Sequence, residues 1–264
     1  MSIPNVQMEN IPFITILTAS LNRATSIRET IKSIRDQSFQ NLEHIIIDGG
    51  SRDETPMILR KNENTYNLTW ISEPDHGISD ALNKGLQLAR GRYILVLHAD
   101  DQLLTPHILE IIYLKLKSER FDIYSFPVLL EHAVRGRMLF KPIRIIWWYH
   151  FKTIFPHQGC LVHRRIFDKI GGFRKEFSIA LDYDFFYRIL SKRPSIKFEK
   201  QPISVMGGMG ISSDQNLLVT RLEEEVKVQN LHEKNPYWQL AQLFFRMLYF
   251  PYKTRFLPKF KTQQ

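Results

Sequence analysis

The sequence predicts an α/β fold: a doubly wound, mostly parallel sheet flanked by helices, with a helical extension at the C-terminal end. Three observations predict it. Short β-rich runs alternate with segments of helical period as far as residue 97, the pattern of repeated strand–helix units. The run over 93–97 is apolar throughout, as in a strand covered on both faces. Aspartates stand at the ends of successive runs, where an open parallel sheet binds its ligands.

Phe13-Ile14-Thr15-Ile16-Leu17 reads as the first strand. Ser26-Ile27-Arg28-Glu29 has the spacing of a capping box and opens a helix whose Ile27, Ile31 and Ile34 share one face. His44-Ile45-Ile46-Ile47 is a second strand ending at Asp48, and a short helix with Pro56 in its first turn follows Asp53. A third strand spans 68–71. A helix over 79–90 stops at Gly91 and leads into the strand over 93–97. After Pro106 the pattern loosens into a helix over 106–118 and a strand over 121–130. An aromatic-basic stretch over 140–155 holds Trp147-Trp148-Tyr149. A helix over 182–192, two short strands near 196–206, a polar helix over 217–233 and an aromatic helix over 237–250 complete the chain.

The 264 residues, 44% hydrophobic and 24% charged, suit one large globular domain with an extension. A single cysteine, Cys160, excludes an intramolecular disulfide and a cysteine-rich zinc site, and suits a reducing cytosol. Without a leader-like segment or a run near the roughly 20 apolar residues of a membrane span, a cytoplasmic chain is expected. The net charge of +9 asks for an anionic partner. No dense basic helix stripe or nucleic-acid motif is present, so nucleic acid is disfavoured. The excess gathers with aromatics at 135–152 and 246–261, which favours an anionic membrane surface.

The strand ends carry the chemistry. The second strand ends in Asp48-Gly49-Gly50-Ser51-Arg52-Asp53, the third in Glu73-Pro74-Asp75-His76-Gly77, the fourth in His98-Ala99-Asp100-Asp101. Like charges drawn together repel unless a cation neutralises them. Hard oxygen ligands select Mg²⁺ or Mn²⁺, which also binds substrate phosphate. Asp53 and Asp75 serve equally well as helix caps, whereas two adjacent carboxylates after an apolar strand exceed any capping need. The first strand lacks G-x-G-x-x-G and the chain lacks G-x-x-x-x-G-K-[ST], so a nicotinamide fold and a P-loop are disfavoured.

These segments, together with Ile78-Ser79-Asp80-Ala81-Leu82-Asn83-Lys84-Gly85, Gly171-Gly172-Phe173 and Asp182-Tyr183-Asp184, resemble glycosyltransferase family 2. The resemblance covers about residues 13–210 and is nearest to bacterial enzymes of exopolysaccharide and O-antigen assembly. It implies a GT-A fold, with a nucleotide-sugar-binding and catalytic domain over 1–210 and a helical, aromatic-basic extension over 211–264. It implies that Asp48 faces the nucleotide base, Thr18 lies under the nucleoside, and Asp80 lies beside the donor with Asn83 and Lys84. Asp100 is implied near the ribose, and Asp101 as ligand of a divalent cation bridging the phosphates. His98 stands where members often carry Asn; it reads as a packing residue or a neighbour of the metal.

Inverting sugar transfer needs a carboxylate to take the acceptor hydroxyl's proton. Asp182 and Asp184 are the candidates, and Asp182 matches the family position; an N-cap is its structural alternative. His157-Gln158 suits an acceptor cleft or a structural pair, Cys160 suits the core, and 207–210 suits a loop over the donor. The acceptor implied is a glycan or polyprenyl-linked sugar, reached peripherally at the inner face of the plasma membrane. Two further classes stay open. A sugar nucleotidyltransferase would carry a Gly- and basic-rich loop after the first strand, which is missing here. An inactive accessory binding protein has no need of Asp48, Asp100, Asp101 and Asp182.

Overall fold

The computed structural model describes residues 11–132, 136–208 and 215–256. Three strand–helix units and a fourth strand open the chain in the expected order. They are β1 (Ile14–Ser20), α1 (Ile27–Arg35), β2 (Leu42–Asp48), α2 (Thr55–Asn62), β3 (Leu68–Ser72), α3 (Ile78–Leu88) and β4 (Tyr93–Val96). There follow β5 (Gln102–Leu103), α4 (Ile108–Leu116), β6 (Ile123–Ser125), β7 (Val128–His132) and β8 (Gly136–Phe140). Next come β9 (Cys160–His163), α5 (Arg164–Ile170), α6 (Leu181–Leu190), β10 (Ile196–Phe198) and β11 (Ser204–Met206). The extension is α7 (Leu218–His232) and α8 (Pro236–Pro251).

A seven-stranded sheet runs β10-β6-β9-β4-β1-β2-β3, parallel except for β9, which is antiparallel to both β4 and β6. Alternation along its strands fills a core on each face. Leu17, Ile45, Ile94 and Val96 pack toward α3 and α6, while Ile14, Ile16, Tyr93 and Leu95 pack against residues of α1 and α4. Burying each such side chain is worth about 1.5–3 kcal/mol, which fixes the register of the central strands. Gly91 is required by close approach. A Cβ there would lie 2.5 Å from the Thr15 nitrogen, and the Gly91 N–H donates to Thr15 Oγ1 and Glu43 Oε1.

Two expectations are corrected. Ser26 precedes α1, but its hydroxyl makes no cap bond and is buried without a partner. The turn is held instead by Thr55 Oγ1 and Asp53 Oδ2, which accept from the Arg23 and Ala24 nitrogens, both at 3.0 Å. The strand expected over 121–130 is broken at Phe126-Pro127 into β6 and β7, because proline cannot donate to a ladder. β7 joins a second sheet, ordered β5-β11-β7-β8, which pattern reading did not foresee. Within the aromatic-basic stretch a 3-10 turn spans Ile146–His150.

Candidate active site

β1, β2 and β4 are parallel neighbours, so the residues that follow them line one edge of the sheet. At the end of β2, Asp48 is fully buried. Its Oδ2 accepts from the Ser51 nitrogen (2.9 Å) and Ser72 Oγ (2.7 Å), and its Oδ1 accepts from Ser51 Oγ (2.5 Å). Gly49 lies against Asp75, where an added Cβ would come within 2.6 Å of Oδ2. Thr18 is buried on β1 with its Oγ1 2.9 Å from Nε2 of His44, whose Nδ1 is 2.7 Å from the Tyr66 hydroxyl. Burial pushes His44 down to about 3, so it bonds as a neutral ring. Ser20, paired with Asp48 in the β1–β2 register, keeps a buried hydroxyl without a partner.

The parallel pairing continues past β4 through the Leu97 N–H to the Leu17 carbonyl, and the chain then turns. The turn is closed from both ends. The Asp101 nitrogen donates to the His98 carbonyl at 3.0 Å, and Asp101 Oδ2 accepts from the His98 nitrogen at 2.8 Å. Asp101 Oδ1 accepts from the Gly207 nitrogen (3.1 Å) and Gln158 Nε2 (3.4 Å). Only 1% of Asp101 is exposed, and burial pushes its carboxyl up to about 6, opposed by His157 and assisted by Asp100. Asp100 presents the opposite picture: its Oδ2 is buried with no partner. Gly207, just after β11, covers it closely; a Cβ there would lie 2.6 Å from both the Asp100 carbonyl oxygen and Oδ2. The second sheet thus delivers its last strand onto the diacid turn. Met209 and Gly210 lie outside the described residues.

Asp182 sits in the first turn of α6, with its side chain 27% exposed and its Oδ1 accepting from the Tyr183 nitrogen. His157 connects it to the diacid. Its Nδ1 is 3.9 Å from Asp182 Oδ2, and its ring packs edge-to-face on His98 at 4.8 Å. His98 is a packing residue in this respect, and burial pushes it down to about 3. Asp184 is placed elsewhere. It has no exposure, and it is clasped by Arg188 Nε at 2.9 Å and His232 Nε2 at 2.7 Å. Asp80, on α3, pairs with Lys175 at 2.6 Å and lies 3.8 Å from Lys84, and the Lys175 hydrogen bond holds its carboxyl below the usual range. Asn83 clasps the backbone of Phe173 through both its amide nitrogen and its oxygen.

The structure therefore brings Asp100, Asp101 and Asp182 together through His157 and Gln158, and sets Asp48 and Asp75 along the same edge. Sequence reading did not find Glu224. From α7 it accepts hydrogen bonds from the nitrogens of Ser178, Ile179 and Ala180, the residues leading into α6. A contact spanning more than forty residues leaves no local pattern.

Among the described residues, no group of three or more His, Cys, Asp and Glu side chains converges to hold a metal ion unaided. Two neighbouring carboxylates are nevertheless what a hard divalent cation uses when substrate phosphates complete its shell. Four buried polar atoms without partners, Asp100 Oδ2, His98 Nδ1, His157 Nε2 and Gln158 Oε1, belong to this one cluster. The donor set fits such a cation.

Residues 15–177 match the family model described as Glycosyl transferase family 2; Asp182 lies just beyond the matched span. An uncharacterized glycosyltransferase of Mycobacterium tuberculosis is 32% identical over 187 residues, 69% of this chain and 70% of that protein. S. aureus TarS 1-349 in complex with UDP-GlcNAc aligns with TM-score 0.67 and 16% identity over 91% of this chain and 73% of that one. The chain spans 43% of the longer TarS structure. The mannosyltransferase PcManGT of Pyrobaculum calidifontis, in complex with GDP-Man and Mn²⁺, aligns with TM-score 0.68 and 18% identity over 92% of this chain and 72% of that one. The fold is of the GT-A type, with a mostly parallel central sheet flanked by helices. Sheet, diacid turn and family match agree: the chain belongs to glycosyl transferase family 2 and is a glycosyltransferase.

Proposed function

We propose that this glycosyltransferase is a metal-dependent inverting enzyme that moves a sugar from a nucleotide-sugar donor, a UDP-sugar in the first instance, to an acceptor hydroxyl. The observation that carries the reading is the link through His157 between the Asp100-Asp101 turn and the solvent-accessible carboxylate of Asp182. A leaving diphosphate needs its charge held at one end of such a site, and the incoming hydroxyl needs a base at the other.

In this reading Asp48 meets the base, Thr18 underlies the nucleoside from within β1, and Asp80 lines the donor wall with its lysine partners. Asp100 lies near the ribose, and Asp101 would hold a Mn²⁺ or Mg²⁺ ion. The cation, when bound, supplies positive charge to the diphosphate as it departs. Asp182 accepts the proton of the acceptor hydroxyl while that oxygen bonds to the anomeric carbon. The bond from that carbon to the diphosphate oxygen breaks, and the leaving group keeps the electron pair. Relatives in complex with UDP-GlcNAc and with GDP-Man and Mn²⁺ support the donor class and the metal. The acceptor is proposed to be a glycan or a polyprenyl-linked sugar of surface-polysaccharide assembly, met at the inner face of the plasma membrane.

A panel of UDP-, GDP- and dTDP-sugars incubated with Mn²⁺ or with a chelator tests the proposal. Released nucleoside diphosphate that disappears with the chelator is expected. Release of pyrophosphate would assign sugar activation instead, and silence across the panel would overturn the donor reading.

A further inference from the structure

α8 is apolar on its outward face as well as its inward one. Of its sixteen residues only Arg246 is charged, and it faces inward, its Nε donating to Gln229 Oε1 at 2.8 Å. Gln242 is 1% exposed and donates to the His150 carbonyl. At about 100° per residue, Tyr237, Leu240, Leu243, Phe244, Met247 and Leu248 fall on a single arc. All six are exposed, Tyr237 at 83% and Leu248 at 78%. A helix resting on a domain in water turns its apolar stripe to the core and its polar face outward; α8 does pack Trp238 and Phe245 inward, against His150 and Phe151, yet its outward face is apolar as well. The patch continues onto the 3-10 turn, where half-exposed Trp147 stacks on Trp238 with centroids 6.0 Å apart.

The charge of the adjoining sequence selects what covers it. Residues 236–264 contain four basic residues besides the inward Arg246 and no acidic one, and residues 133–152 contain five basic residues and no acidic one. A second copy of the chain would bring like charges face to face. An anionic bilayer surface would take the apolar arc between its headgroups and meet the basic residues of these stretches, among them Lys253 over the Tyr249 ring, with lipid phosphate. Among the described residues no helix is long and apolar enough to cross a membrane, so the geometry is that of a helix lying in the interface.

We propose that the outward face of α8, with Trp147 at its edge, is a docking surface for anionic lipid bilayers. It names a lipid partner for the acceptor reading above, yet its test requires neither donor nor metal, so either can fail alone. The full chain is floated with phosphatidylcholine vesicles and with mixed phosphatidylcholine–phosphatidylglycerol vesicles at low and high salt, beside the triple variant Phe244→Gln/Met247→Gln/Leu248→Gln. Expected is flotation of the wild type with the anionic vesicles, weakened by salt. The variant, unchanged in thermal midpoint, partitions more weakly by about tenfold or more, from the apolar area withheld. A wild type that stays unbound at low salt overturns the proposal, as does a variant that floats equally well. A wild-type dimer in light scattering that the variant dissolves would also overturn it, assigning the face to a second copy.

Discussion

Glu224 Oε2 stands 2.8 Å from the backbone nitrogen of Ala180, the residue that precedes α6 and its Asp182. The same carboxylate takes the Ile179 and Ser178 nitrogens and the Ser178 hydroxyl, so the C-terminal extension holds the entry to the helix that carries the proposed base. Burial alone would raise this carboxyl; the backbone bonds from Ala180 and its neighbours hold it below the usual range. Glu224→Ala is expected to destabilise the fold by about 2–4 kcal/mol, from several lost bonds to a charged acceptor. Turnover should fall more than donor affinity does. Because the folded value is depressed, this stabilisation is present above the unfolded carboxyl value and is lost as pH falls through the folded one. Urea titration and steady-state kinetics check this, and Glu224→Gln, which keeps one acceptor oxygen, should lose less.

Asp184 and Asp182 should separate cleanly. Asp184 is sealed between Arg188 and His232, and Asp184→Ala would leave the Arg188 guanidinium and the His232 ring without this acceptor. A loss of about 3–5 kcal/mol is expected, visible as a large drop in thermal midpoint. Asp182→Asn should leave the midpoint nearly unchanged.

Gly207→Ala probes the diacid turn without removing a charge. A Cβ 2.6 Å from two Asp100 oxygens forces the turn or the end of β11 to shift. Displacements of this kind near reacting groups cost up to about a hundredfold in rate. Weaker donor binding with a modest stability loss, about 1–3 kcal/mol as in overpacked sites, is expected from donor titration and denaturant melts.

His44 makes the fold acid-sensitive. Its folded value is about 3 because it is buried between Thr18 and Tyr66, against an ordinary value of 6.5. Below pH 6.5 the unfolded chain takes up a proton that the folded chain refuses, so stability falls as pH drops toward 3. The slope is up to about 1.4 kcal/mol per pH unit from this residue alone. His44→Gln should flatten the dependence between these limits in urea melts across pH; an unchanged slope would contradict the assignment.

The parts legible in the sequence are those with local periodicity. Ile27, Ile31 and Ile34, the apolar β4 and the aspartates after the second and fourth strands are marked by spacing alone; the structure puts Asp48 at the end of β2 and Asp100-Asp101 in the turn that follows β4. Gly91 was readable as a stop, although the physical reason is its contact with Thr15 and not a left-handed backbone. The β5-β11-β7-β8 sheet was hidden because its strands are short and Pro127 interrupts what reads as one run. His157 is visible only as one half of a polar pair, since its relation to Asp182 and His98 depends on three segments distant in sequence meeting. Glu224 looked like one more surface acid on a polar helix, and only the packing of α7 on α6 gives it three backbone donors.

The central claim, that Asp182 receives the acceptor's proton across His157 from the diacid turn, is tested most directly by comparing wild type with Asp182→Asn. Nucleotide-sugar affinity is measured by calorimetry and transfer by single-turnover kinetics. Donor affinity within about threefold of wild type and transfer reduced by about 10²–10⁴-fold, the range typical of a removed general base, are predicted. Near-normal transfer in the Asn variant, with donor bound as before, would contradict the account.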